Sequence, residues 1–155
     1  MTYNVHKVIP ISDINPARNT PVISRIFMFA TVGVFLLIQP KNQIELFNFF
    51  YQYSAIPCEL VNFSPISESQ FYNNDCFNSQ SSSIFPEKNL LLSVISANFF
   101  HANFIHILGN LWSFWIFGNN VEDKLGKFRF IIFLIFIGII SVSVHTYLNQ
   151  DSLIP

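Results

Sequence analysis

The sequence has few charged residues. Only 11% of its 155 residues are Asp, Glu, Lys or Arg, whereas 51% are hydrophobic and 19 are Phe. A soluble domain averages about 25% charged residues, so this chain cannot cover itself with a polar surface. The net charge is −1 and no long basic run occurs, which argues against a nucleic-acid partner. The composition predicts an integral membrane protein.

Signal-peptide features and cysteines are also scarce. The first twenty residues are polar and contain no short apolar core followed by small residues, so no cleavable signal peptide is evident. The only cysteines are Cys58 and Cys76. They could form a disulfide in an oxidising compartment, but two unpaired thiols explain a single pair equally well.

Three apolar stretches predict three transmembrane helices, at about 21–39, 101–118 and 130–148. Each approaches the roughly 20 residues that are needed to cross the hydrocarbon core. A polar N-terminal arm, 1–20, precedes the first span, and a tight charged turn is predicted over 119–128. The expected fold class is therefore an all-α integral membrane protein.

A long outer loop, 40–100, is predicted between the first two spans. Its first part is rich in aromatic residues, which suit the bilayer interface. The segment at about 64–88 is rich in Ser, Asn and Gln and is predicted to be an exposed, mobile insert. We therefore expect a loop that is only partly interfacial.

The basic residues predict the orientation. With a cytoplasmic N-terminus, six of the eight Lys and Arg residues lie on the cytoplasmic side, as the positive-inside rule requires. The six are Lys7, Arg18, Arg25, Lys124, Lys127 and Arg129, and the two outside are Lys41 and Lys88. The polar end of the second span then opens outward.

The second span, FFHANFIHILGNLWSFWIFG, carries His101, His106 and Asn110. His106 and Asn110 are four residues apart and share one face of a helix. His101 is expected at the helix mouth or in the preceding loop. A continuous helix from His101 would place Asn110 about 13 Å further along the axis. We expect His106 and Asn110 to line one wall of a pit that is open to the outside.

Several chemical roles fit polar residues at membrane depth. A zinc site of the H-E-x-x-H type needs two His at i and i+4 with a Glu between them, and neither condition holds here. No metal or cofactor is therefore expected. A proton or ion pathway would use such His residues, but no Asp or Glu occurs inside a predicted span. Simple hydrogen bonding between helices also remains open.

Stabilisation of an oxyanion is the role that these donors suit best. Asn amide and His N–H groups, fixed in a water-poor site, can bind the oxygen on which charge develops during acyl transfer. The third span also contains a Ser and a His four residues apart, Ser141 and His145. We reject this pair as a nucleophile and base. Two residues on one regular helix rarely align for this, because membrane Ser tends to bond its own backbone at i−4.

The stretch FFHANFIHILGNLWSFWIFGNNVEDKLGKFRF resembles the rhomboid family of intramembrane serine proteases. It carries an H-x4-H-x3-N signature, after which Gly118, Glu122 and Gly126 follow at four-residue intervals. INPARNTPVI before the first span and FFYQYSAIPCEL after it resemble a pattern common in bacterial members. The resemblance extends over about 15–155, except for the polar insert.

The resemblance implies that 21–155 is part of a rhomboid-like helical bundle that cleaves membrane-anchored proteins. Asn110 and His106 would form part of the oxyanion hole, and His101 would support the surrounding loop and helix. Gly118, Glu122 and Gly126 would be structural. The expected partners are the lipid bilayer and transmembrane protein substrates, and the expected location is a bacterial inner membrane.

The sequence departs from that family in one respect. The family's nucleophile is a Ser in a G-x-S-G motif of a later span, and its base is a His further on, but neither is found here. The 155 residues alone are therefore predicted to be inactive. They would be the N-terminal part of a serine endopeptidase that also needs the C-terminal helices of the same protein. The alternatives are a non-catalytic rhomboid-like protein that binds membrane clients, and a transporter fragment.

Overall fold

The structure is a computed structural model that describes residues 19–155. Lys7, Arg18 and nearly all of the predicted N-terminal arm lie outside the described residues. The described residues form seven α-helices and no strand. The helices are α1 (Val22–Gly33, continued by a π-helical turn, Val34–Ile38), α2 (Gln43–Tyr53), α3 (Pro57–Asn62), α4 (Glu68–Asn73), α5 (Leu90–Ser96, continued by a 3₁₀ turn, Ala97–Phe99), α6 (Phe104–Leu125) and α7 (Lys127–Leu148).

One described helix, α7, is long and apolar enough by itself to cross a membrane. Its apolar side chains lie on all sides, as suits a helix surrounded by lipid or other helices. Leu90–Phe99 and Phe104–Leu125 meet the same standard only when they are taken together as one interrupted span. Val22–Ile38 is a shorter apolar helix of 17 residues. The helical fold class is confirmed, whereas the count of three spans stays a prediction.

The boundaries of α6 differ from the predicted span. The helix begins at Phe104 because Asn103 caps it, its side chain accepting a hydrogen bond from the backbone N–H of His106 at 2.9 Å. The helix continues to Leu125, so the predicted turn over 119–128 is wrong for most of its length. Gly126 alone joins α6 to α7, with φ 75° and ψ 160°, a conformation essentially restricted to Gly.

Contacts divide the described chain into two compact units. The first contains 19–32 and 101–133, and the second contains 33–100 and 134–155. In the first unit, the ring of Phe114 stacks on Phe27 at 4.9 Å between centroids and contacts Phe130 at 6.3 Å. Phe130 is only 1% exposed. Aromatic packing thus joins α1, α6 and the start of α7.

Glu122 fixes the start of α1 to the end of α6. Its Oε2 accepts hydrogen bonds from the N–H and the hydroxyl of Ser24, at 2.8 and 2.7 Å, and its Oε1 accepts from the N–H of Ile23 at 3.0 Å. The N–H groups in the first turn of a helix lack partners within it, and a negative charge there also suits the helix dipole. The carboxylate of Glu122, in the last turn of α6, thus caps the start of α1.

The second unit is built around a small core closed by a disulfide. The core residues are Tyr51, Ile56, Cys58, Ile66, Cys76 and Leu153. Cys58 and Cys76 are bonded to each other, which decides between the two interpretations that the sequence left open. Leu153 lies beyond α7, and the N–H of Cys58 donates to the carbonyl of Ser152 at 3.1 Å. The residues after α7 therefore pack onto the outer loop.

The polar insert is folded. Its helix α4 begins with a capping box in which Ser67 and Gln70 each bond the other's backbone. Ser67 also pairs with Ser83 in an isolated antiparallel bridge. Ile66, Ser67, Gln70 and Cys76 are buried, so the prediction of an exposed insert is wrong for these four. Its Ser and Gln side chains are used for caps and backbone contacts, which composition alone does not reveal.

A buried ion pair joins α3 to the segment before α5. The ammonium of Lys88 lies 2.5 Å from Glu59 Oε2, and the two side chains are 1% and 2% exposed. Lys88 also donates to the carbonyl of Tyr51 at 2.6 Å, and Glu59 Oε1 accepts from the N–H of Ile66 at 3.0 Å. Burial raises the pKa of the Glu59 carboxyl and lowers the pKa of the Lys88 ammonium. Each charge is therefore costly without the other.

We predict that Lys88→Met destabilises the protein by about 3–5 kcal/mol, because Glu59 is then buried without a counter-charge. The double variant Glu59→Gln/Lys88→Met should recover most of this loss, since no charge stays buried. The measurement is thermal unfolding followed by circular dichroism in detergent. Lys124→Met removes an exposed Lys and is the control, with an expected change within about 0.5 kcal/mol. Equal losses for Lys88→Met and Lys124→Met would contradict the ion pair.

A second prediction concerns the cap on α1. Glu122→Ala should cost about 2–4 kcal/mol, because three donors lose a charged acceptor. Ser24→Ala removes only the hydroxyl donor and should cost about 1 kcal/mol. In a double-mutant cycle by thermal unfolding, the two losses should be clearly non-additive. Additive losses would mean that Glu122 and Ser24 do not interact.

Candidate active site

His101 and Asn110 are joined by a hydrogen bond. Asn110 Nδ2 lies 3.0 Å from His101 Nε2. The linear estimate of about 13 Å between them is wrong, because it assumes that His101 belongs to the helix. Asn103 caps the start of the helix, so His101 lies before it, and the chain turns there so that His101 contacts Asn110, one turn after His106. The prediction that His101 lies before the helix is confirmed.

His106 lies close to the same pair. Its ring centroid is 5.1 Å from that of His101, and the two rings meet edge to face. His101 is 4% exposed, whereas His106 and Asn110 are exposed. The structure therefore brings the three residues of the H-x4-H-x3-N signature together. His101 is buried, whereas His106 and Asn110 present polar groups on the surface of α6.

The direction of the bond follows from the chemistry of an amide. An amide nitrogen can donate hydrogen bonds but cannot accept them, so His101 Nε2 accepts from Asn110 Nδ2 in this side-chain orientation. His101 is then neutral, with its proton on Nδ1. The amide of Asn110 has two N–H donors, and this bond uses one of them. The other can bind an acceptor outside the protein.

The three residues proposed as structural have distinct surroundings. Gly118 is buried, and a Cβ there would lie 3.2 Å from the Phe114 ring that contacts Phe27. Glu122 caps α1, as described above. Gly126 has the positive φ that permits the direct junction of α6 and α7. These contacts support a structural role for all three residues.

Two residues that hold this region were not singled out from the sequence. Asn103 was detectable, because an Asn just before an apolar helical stretch is a common helix cap. Ser24 had no usable signal, because its partner Glu122 is 98 residues away.

His145 of the rejected pair has another partner in the structure. His145 Nδ1 lies 3.3 Å from the amide nitrogen of Asn149, one turn further along. Ser143, which lies between Ser141 and His145, donates its hydroxyl to the carbonyl of Ile139 at 2.8 Å, the i−4 bond that is typical of Ser in apolar helices. Within residues 19–155, no group of three or more His, Cys, Asp or Glu residues could hold a metal ion.

One comparison with known proteins matches part of the chain. Residues 88–154, a little under half of the sequence, match the family model of the Rhomboid domain. No curated protein and no solved structure matches this chain. The matched residues include all of α6 and α7 and the whole H-x4-H-x3-N signature. This part of the chain is therefore similar to a Rhomboid domain, and together with the apolar helix α7 the match supports a rhomboid-like membrane protein.

Proposed function

We propose that this chain is part of a rhomboid-type intramembrane serine endopeptidase and that α6 supplies its oxyanion hole. The observation that carries the proposal is the hydrogen bond between His101 and Asn110. It fixes one amide donor on α6 while leaving a second N–H of the same amide to bind substrate. The Rhomboid domain match over 88–154 supports the same reaction class.

Asn110 would bind the oxyanion of the tetrahedral intermediate. Peptide-bond cleavage transfers negative charge to the carbonyl oxygen, and a donor that is already fixed needs no reorganisation when that charge develops. Asn110 meets this condition because His101 holds its amide and because it lies on a regular helix rather than a loop. His106 lies one turn before it on the same face and would supply a second donor.

His101 would act as a positioning residue. Its ring is buried and contacts both other members of the signature, as an Nε2 acceptor for Asn110 and through the ring contact with His106. It would not touch the substrate itself. The nucleophile and base would come from later residues of the same protein.

We predict that Asn110→Ala lowers kcat about 10²-fold, with little change in KM, because one oxyanion donor is lost. The measurement uses the protein expressed from its complete open reading frame and reconstituted in vesicles with a single-span substrate. Ser113→Ala alters an exposed polar residue on the same helix and should leave kcat unchanged. An unchanged kcat for Asn110→Ala would remove this residue from the mechanism. A wild-type protein that binds the substrate without cutting it would favour the client-binding alternative.

We further predict that His101→Ala lowers kcat roughly tenfold or more, because the Asn110 amide is no longer aimed. The double variant His101→Ala/Asn110→Ala should be no slower than Asn110→Ala alone, since His101 acts through that amide. His101→Gln can still accept a hydrogen bond and should restore part of the rate, which a general loss of stability would not allow. Multiplicative losses in the double variant would contradict the positioning role.

A further inference from the structure

The first unit contains an apolar groove between α1 and α6. It has a volume of about 330 Å³ and is lined by Arg25, Met28, Phe29, Val32, Leu111 and Trp115. The four residues from α1 follow the i, i+3, i+4, i+7 pattern of one helix face, and the two from α6 are four residues apart. The groove is therefore roughly 10 Å long at 1.5 Å per residue.

The groove is open to its surroundings. Phe29 is 76% exposed and Trp115 is 55% exposed. In a membrane protein, such a surface meets hydrocarbon chains rather than water. An elongated apolar channel with a charged residue at one end has the shape and polarity that would suit an amphipathic molecule.

Arg25 gives the groove its charged end. It lies in the first turn of α1 and lines the groove with its methylene stem, and a long basic side chain of this kind keeps its charged head in the polar region. Among residues 19–155, no acidic side chain forms an ion pair with it. A guanidinium group binds phosphate in a bidentate manner. This end of the groove is thus complementary to a phosphate ester.

The two acidic residues near the end of α6 are engaged in other contacts. Glu122 binds Ser24 and Ile23, and Asp123 accepts from Asn19 at 2.7 Å. Three exposed basic residues lie at the junction of α6 and α7, namely Lys124, Lys127 and Arg129. Clusters of this kind favour the anionic headgroups of a membrane surface.

We propose that the groove binds an anionic phospholipid. One acyl chain would lie along Met28, Phe29, Val32, Leu111 and Trp115, with the headgroup phosphate on Arg25. An apolar protein helix would cover the same surface, but it would not bring a negative charge to Arg25. The proposal concerns a surface of α1 and α6 that the proposed catalytic role does not use.

The test is photolabelling of the purified full-length protein in nanodiscs. The probe is phosphatidylglycerol with a diazirine in its acyl chain, and phosphatidylcholine with the same chain is the neutral comparison. We expect adducts on the peptides that contain residues 28–32 and 111–115, about fivefold more abundant with phosphatidylglycerol, as one well-placed basic residue near a membrane surface would give. An excess of inorganic phosphate should not reduce the labelling, because the acyl chain supplies most of the contact.

Matched variants separate the groove from general surface charge. Arg25→Met keeps the apolar stem and should abolish the preference for phosphatidylglycerol, whereas Arg129→Met removes an exposed Arg outside the groove and should leave it intact. Val32→Phe should fill the groove and reduce labelling by both lipids. Unchanged thermal unfolding of each variant would show that folding is retained. Any of three outcomes would overturn the proposal: the two lipids label equally, Arg25→Met and Arg129→Met have equal effects, or these peptides carry no adducts. Absence of adducts would point instead to another helix in the groove.

Discussion

A polar side chain on an apolar helix needs a hydrogen-bonding partner, and the bond between His101 and Asn110 supplies one in the first unit. In a membrane, an unpaired amide or imidazole costs several kcal/mol. The geometry that avoids this cost starts at Asn103, which caps the first turn of α6, so that the preceding chain is free to turn back. His101 then reaches Asn110, and His106 lies against the same ring. One cap therefore determines the arrangement of all three residues in the signature.

The second unit is stabilised by a few specific contacts between side chains. Its short helices, α2 to α5, bury too little apolar surface to be stable alone, since isolated helices of this length are marginal in water. The disulfide between Cys58 and Cys76 and the ion pair between Glu59 and Lys88 supply the cross-links that a small core lacks. Leu153 then adds apolar contact from the other end of the unit. A loop that is polar in composition thereby acquires a fixed shape.

Local patterns in the sequence predicted part of this structure. Continuous apolar stretches located α1 and α7, and the four-residue spacing placed His106 and Asn110 on one face of α6. Long-range pairing was not predictable, because Glu122 and Ser24 are 98 residues apart and nothing local indicates that they meet. The prediction of an exposed insert failed for the same reason. Its Ser and Gln residues suggest a disordered segment until their caps and backbone partners are known.

The two halves of α6 have different surroundings. About 18 Å along the axis separate Asn110 from Glu122, at 1.5 Å per residue. Near Glu122 the helix is held by three hydrogen bonds to α1, and Phe114, one turn after Asn110, stacks on Phe27 of α1. Near Asn110 it presents exposed donors, one of them fixed by a buried ring. Preorganised donors are effective only when the surrounding structure does not yield as charge develops. A helix that is anchored at one end and carries exposed donors near the other meets that requirement. The cap on α1 therefore contributes to the rigidity on which the proposed oxyanion donors depend.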